Sequence, residues 1–321
     1  MTSKEQTVDL DSIQGFLAFP EETQLLFKNA YNNNTSESKQ IFINSSQAAM
    51  LYNNQSFDSK ILGKILNIFD DVSIELTYPS TNYDLLYHSI TILKSKEVPK
   101  MKIVINITDQ KGLDEKFQYN NKINSVIIDS KVTTISSFSF FSCNSLAQIV
   151  IPSTITRIGR CSFDKCSSLT QVLFELPSSI EMIDSNAFNE CTALQQIAIP
   201  DSVTTISDNC FFNCLSLTSI TLSKSLTTIG FNSFGNCKSL KEIEIPNSVT
   251  SLADSIFNGC EQLKKAVLPS TIKILPKMTF VNCKSLTDVQ IPSNVESIKQ
   301  HAFENAGIEK LEIPESVKNI D

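Results

Sequence analysis

The sequence predicts a solenoid of α/β repeats, a parallel stack of about nine coils behind an N-terminal mixed α/β cap. Phenylalanine recurs at Phe140, Phe163, Phe188, Phe211, Phe234, Phe257, Phe280 and Phe303, with every spacing 23 residues except one of 25. Three residues after each of the first seven stands a cysteine (Cys143, Cys166, Cys191, Cys214, Cys237, Cys260, Cys283), and Ala306 takes the eighth place. A fixed period in this range marks stacked copies of one small unit, none of which buries its apolar face alone.

One copy shows the unit. In residues 240–252 the apolar residues fall at Leu240, then Ile243 and Ile245, and the Ile243-Glu244-Ile245 alternation is the period of a strand with one buried face. Pro246 ends that strand because it has no N–H for a ladder. Two residues after each such position come Thr154, Ser179, Ser202, Ser225, Ser248, Thr271, Asn294 and Ser316, expected to fix the turn by bonding their own local backbone. A second inward pair follows (Val249 and Leu252; Val203 and Ile206; Val295 and Ile298), then a variable polar stretch, the Phe and the Cys.

Units of the form Leu-x-x-Ile-x-Ile-Pro-x-Ser-Val-x-x-Ile-x-x-x-Ala-Phe-x-x-Cys resemble the BspA-like branch of the leucine-rich repeats, over about residues 123–321. The resemblance implies a leucine-rich repeat solenoid, curved, with one strand per repeat along its concave face. It also implies a non-enzymatic interaction protein of the surface antigen or adhesin kind, with no catalytic residues to carry over.

Residues 1–99 do not repeat and read as an α/β capping region, since terminal repeats need covering, with a separate binding domain as the alternative. Pro20-Glu21-Glu22-Thr23 ahead of Leu25, Leu26 and Phe27 predicts a helix start with acidic residues in its first turn. Residues 31–38 read as a loop, 41–43 and 72–78 as strands, and 57–69 and 82–89 as helices. The solenoid is assigned to residues 100–321, with 100–122 a degenerate first repeat. In that repeat Ile103-Val104-Ile105 lies 23 residues before Val126-Ile127-Ile128, Phe117 lies 23 before Phe140, and Asn120 stands in the Cys place. Two extra residues precede Pro177, and the alternation predicts a longer strand there with Val172, Phe174 and Leu176 all inward.

Composition excludes several functions. A net charge of −7 argues against nucleic acid as a partner, since phosphate neutralisation needs a basic face. No apolar segment is long enough for a secretory signal or a membrane span, which on sequence alone predicts a cytoplasmic location; the family resemblance points instead to the cell surface. Without C-x-x-C pairs and with only His88 and His301, the nine cysteines read as buried free thiols, with no metal and no cofactor. No phosphate-loop, dinucleotide or zinc-protease motif is present, so no catalytic residue is assigned.

The expected site is the outward row of the strand face, which would take a protein partner. Its candidate residues are Gln148, Gln171, Gln196, Glu242, Glu244, Lys265, Asp288, Gln290, Lys310 and Glu312. Its first half is neutral and its second charged, and no aromatic stands on it. Asp208 and Asp254 fall on the opposite side, where charge reversal is expected to be silent. An intracellular scaffold or regulator is the alternative to a surface adhesin.

Overall fold

A computed structural model describes residues 21–33, 40–43, 71–78, 101–107, 117–121 and 123–321. All of its strand pairs are parallel, and they fall into two long rows. The first row runs through Ile123–Ile128, Gln148–Ile151, Gln171–Phe174, Gln196–Ala198 and Ser219–Thr221, then continues as Glu242–Glu244, Lys265–Val267 and Asp288–Val289. The second row consists of two-residue strands, from Thr134–Ile135 to Ser251–Leu252 and from Ile274–Leu275 to Asn319–Ile320. This second row carries the second member of each repeat's second inward pair (Ile206, Leu252, Ile298), whose burial the sequence predicts but whose strand pairing it does not.

The N-terminal strands belong to the same sheet. Gln40–Ile43, Asp71–Tyr78 and Met101–Ile107 pair in that order and lead into Ile123–Ile128. The predicted strands at 41–43 and 72–78 are thus present. The helix runs Glu21–Asn33, so it takes in the first three residues of the expected 31–38 loop. The helices expected at 57–69 and 82–89 lie outside the described residues.

The first join needs correcting. Instead of an offset of 23, Ile105 pairs with Val126 and Ile107 with Ile128, after a register shift at Ile103/Val104. A slip of two residues keeps every side chain on its own face, so alternation alone could not detect it. Phe117 nevertheless stacks on Phe140 at 5.7 Å, as its spacing predicts.

The core is one continuous cluster. Its spine is the phenylalanine ladder, nine rings from Phe117 to Phe303 with centroids 5.3–5.7 Å apart and planes within 4–16°. These distances exceed the strand spacing of about 4.8 Å, the mark of offset rather than eclipsed stacking. All the rings from Phe117 to Phe280 are fully buried, whereas Phe303 is half-buried.

The turn side, which carries the Phe, is built from overlapping turns such as Phe141 N–H to Phe138 O and Cys143 N–H to Phe140 O. It holds a third inter-coil ladder, with Phe140 N–H donating to Ser162 O, Phe211 to Ser233 O and Phe257 to Thr279 O. Two positions in each coil, two residues before and two after the Phe, have φ between 52° and 77°. Of these, Asn186, Asn209, Asn213, Asn232, Asn236, Asn282 and Asn305 are asparagine and Gly259 is glycine, the residues that enter the left-handed region most readily. At Gly259 a Cβ would also meet the Asn236 Oδ1 at 2.1 Å.

The turn serine or threonine after the strand proline does not act as expected. Thr154 Oγ1 donates to Val132 O at 2.8 Å and Ser316 Oγ to Val295 O at 2.8 Å, each reaching the preceding coil rather than its own turn. The stack sets coils one strand spacing apart, which puts a carbonyl of the preceding coil within reach of these hydroxyls, whereas the hydroxyls of Ser202 and Ser248 have no hydrogen-bond partner among the described residues.

Candidate interaction site on the strand face

All ten candidate residues are exposed. Backbone register brings them into rows: Gln148 opposite Gln171, Gln171 opposite Gln196, and Glu242 opposite Lys265 opposite Asp288. The glutamine row presents side-chain amides that both donate and accept. In the charged row Lys265 Nζ lies 3.4 Å from Asp288 Oδ2, an exposed pair of small net worth. Glu242 and Glu244 have no ion pair among the described residues.

Three candidates depart from the expected strand. Gln290 lies just past Asp288–Val289 and, with Lys265, Val267 and Asp288, lines a hollow of about 430 Å³. Lys310 and Glu312 lie beyond the last strand of the row and pair only with each other, at 3.6 Å. The one-residue deletion at Ala306-Gly307-Ile308 brings the chain so close that a Cβ on Gly307 would meet Lys284 O at 2.1 Å, and the segment that follows has no strand pairing.

Two further expectations are corrected. The strand after Gln171 ends at Phe174, no longer than its neighbour Gln148–Ile151, and Leu176 is 76% exposed instead of inward. The two extra residues therefore leave the sheet as a bulge. Asp208 and Asp254 are not idle either: their Oδ1 atoms accept the N–H groups of Phe231 at 2.7 Å and Lys277 at 3.0 Å. Each ties its coil to the next, so reversing their charge removes a structural acceptor.

The cysteines are all buried and unbridged. Each of the seven in register donates its thiol to the carbonyl of the Phe one coil earlier, at 3.0–3.2 Å from Cys143 to Cys283. Burial pushes the thiols of Cys166, Cys191, Cys210, Cys214, Cys237 and Cys260 well up, and that of Cys283 to about 12. Such thiols are poor nucleophiles. Among the described residues no three His, Cys, Asp or Glu side chains converge to hold a metal.

Two charged groups on other faces are bound up in the stack. Glu261 bridges Lys238 at 3.2 Å and Lys284 at 3.6 Å, and the Lys238 hydrogen bond and charge hold its carboxyl below the ordinary value. Burial raises the carboxyl of Asp164, whose Oδ1 accepts from Asn189 Nδ2 at 2.8 Å. The aromatic residues missing from the strand face gather on the turn side. Tyr119 meets Phe141 edge-on at 5.2 Å, and Lys165 Nζ sits 5.8 Å from the Phe141 centroid.

A family model described as "BspA type Leucine rich repeat region (6 copies)" matches residues 113–226 and 204–321, well over half of the sequence. The chain belongs to this family. Solved structures are similar to it at low identity. A leucine-rich repeat protein from Bacteroides ovatus is 23% identical, covering 77% of this chain and 82% of its own, with a TM-score of 0.41. A leucine rich cell surface protein from Faecalibacterium prausnitzii is 21% identical, covering 78% and 82%, with a TM-score of 0.40. The pneumococcal vaccine antigen PcpA is 20% identical, covering 78% of this chain and 57% of its own, with a TM-score of 0.47. A comparison with curated proteins gives no match. No helix among the described residues is long and apolar enough to cross a membrane.

Proposed function

We propose that this BspA-type chain is a non-enzymatic interaction module that holds a protein partner against its strand face. The observation that carries the reading is the pair of exposed rows in backbone register, Gln148–Gln171–Gln196 and Glu242–Lys265–Asp288. A stacked parallel sheet keeps such side chains in a fixed order, and extended solenoid faces suit large partners. Photo-cross-linking groups placed at positions 196 and 265, with positions 231 and 278 on the turn side as comparison, test it in cells. Partner adducts from 196 and 265 alone are the expected result; adducts from 231 and 278 alone refute it.

The family resemblance supports a surface antigen or adhesin. An intracellular scaffold is a second reading, favoured by nine unbridged cysteines. Protease treatment and antibody staining of intact and permeabilised cells separate them: a surface module is cleaved and stained on intact cells, a scaffold only after permeabilisation.

A further inference from the structure

The two-residue insertion reshapes the strand face. The bulge is pinned to the preceding coil, because Glu175 N–H donates to Ile151 O at 2.9 Å and Glu175 Oε2 accepts the N–H of Ser153 at 3.2 Å. Leu176 is thereby held in solvent, 76% exposed. Beside it lies a hollow of about 650 Å³ that both Leu176 and the strand-face residues line.

Its floor follows from side-chain size. Val150 pairs with Leu173, and the register of Gln171 with Gln196 sets Ala198 next in that column. Val150 is 43% and Leu173 45% exposed, so the column is an apolar stripe that steps from large to small at Ala198. The step leaves room for an incoming apolar group between Leu173 and Leu176. Gln171 and Gln196 stand along the rim, and Asp201 is the one charged residue in the lining. Asp201 Oδ1 accepts the N–H of Lys224 at 3.0 Å, and its Oδ2 lies 3.9 Å from Lys224 Nζ with both side chains largely exposed, too loose a pair to neutralise the carboxylate.

We propose that this hollow is a docking pocket for one large aliphatic or aromatic side chain on an extended segment of a protein partner, with a basic residue beside it that reaches Asp201. The pocket supplies apolar area for the anchor, amides matched to an extended main chain, and one carboxylate with no competing cation in the lining. The inference rests on the strand-face reading above and names the chemistry of the segment that face takes.

A phage-displayed random dodecapeptide library panned on the full chain provides the probe. Enriched peptides are then synthesised and titrated against wild type, Ala198→Leu, Leu176→Ser, Asp201→Asn and the double variant Glu242→Lys/Glu244→Lys. Ala198 and Leu176 are both exposed, so neither change disturbs the core, and circular dichroism checks this. Enriched peptides should share a large apolar residue next to Arg or Lys. They should lose at least tenfold in affinity on Ala198→Leu and on Leu176→Ser, lose several-fold on Asp201→Asn with a flatter salt dependence, and stay within twofold on the glutamate reversals. Failure to enrich any such motif, or equal binding to Ala198→Leu, overturns the pocket. If binding falls on the glutamate reversals but not on Ala198→Leu, the strand-face reading stands and the pocket falls. If neither set moves it, both fall. A change of solution mass on Ala198→Leu would assign the hollow to a second copy of the chain, which also overturns the proposal.

Discussion

The thiol of Cys237 donates to the carbonyl oxygen of Phe211, 26 residues earlier, at 3.2 Å. The same oxygen accepts the N–H of Cys214 at 3.2 Å, so one carbonyl uses both lone pairs, one within its coil and one across coils. Cysteine fits because the site is buried: the weak donor costs little to desolvate and its sulfur packs as a small hydrophobe.

This arrangement makes the solenoid alkali-sensitive. Burial holds the Cys237 thiol well above its ordinary value of 9.0, so the folded chain keeps a proton that the unfolded chain releases. The resulting stabilisation is fully present below pH 9 and is lost as pH rises beyond it. Each such thiol costs about 1.4 kcal/mol per pH unit in that window. Urea midpoints at pH 7, 9 and 10 should drop steeply above 9, and the Cys237→Ala/Cys260→Ala variant should drop less steeply. An alkylating reagent should modify few thiols in the native chain at pH 7 and all nine after unfolding.

The phenylalanine ladder should behave as a core with one loose end. Phe234 is fully buried between Phe211 and Phe257, with centroids 5.7 Å away on each side. Its truncation to alanine should cost about 3–5 kcal/mol in denaturant titrations, the usual range for a buried aromatic. Phe303 stacks only on Phe280, at 5.5 Å, and is half-buried, so Phe303→Ala should cost less. Equal, small effects would mean that the rings are not what holds the coils together.

Much of this was legible in the sequence because one unit repeats. Burial of Val249, Ile243 and Phe234 follows from period alone, and so does the order of the glutamine row. What escaped depended on geometry between coils or on single-residue exceptions. The left-handed position two residues before the Phe had a signal in Asn209 and Asn232, but Met278 and His301 occupy the same place and obscure it. Leu176 alternates correctly yet points outward, because nothing in a pattern of two says where a strand leaves its sheet. The carboxylate contacts of Asp208 and Asp254 were hidden because their N–H partners lie 23 residues on, in another coil.

Met278 offers a direct test of the left-handed positions. It has φ of 55° and is 40% exposed, while its N–H still bonds Gln300 O at 3.1 Å. Met278→Gly should stabilise the fold by roughly 1 kcal/mol by removing Cβ strain. Met278→Val should destabilise it by about as much, since branching at Cβ worsens the same clash. Thermal melts with the two variants shifted in the same direction would contradict this account of the turns.

The two aspartates tie neighbouring coils together, so their removal is read in stability rather than binding. Asp208→Ala leaves the Phe231 N–H without its acceptor at an exposed edge, where water replaces it in part. A loss of about 1 kcal/mol is expected, in line with a hydrogen bond to a charged group that is partly re-solvated. Asp254→Ala should act alike through Lys277, and two such distant changes should add. Unfolding midpoints unchanged in both variants would show that the contacts contribute nothing.

The charged half of the strand face calls for controls that the stack does not use. Glu242 and Glu244 are exposed on one strand and make no ion pair among the described residues, so their reversal to lysine leaves the sheet intact. It does change the field that a partner meets, placing positive charge next to Lys265, which faces Glu242 across the ladder. For a full-length partner that also covers the charged half of the face and places a basic group there, unlike a short peptide held at the hollow beside Leu176, association should slow, and the difference from wild type should shrink as salt rises. Glu181→Lys with Glu190→Lys is the matched control: Glu181 is exposed off the strand face, and Glu190 occupies the turn position where Lys165 is already tolerated. Both pairs alter net charge equally, so a shared effect would report only the overall field. Association rates measured against a cross-linked partner at low and high salt should fall for Glu242→Lys/Glu244→Lys and stay near wild type for the control. If the control slowed association just as much, the strand face would have no special part in binding.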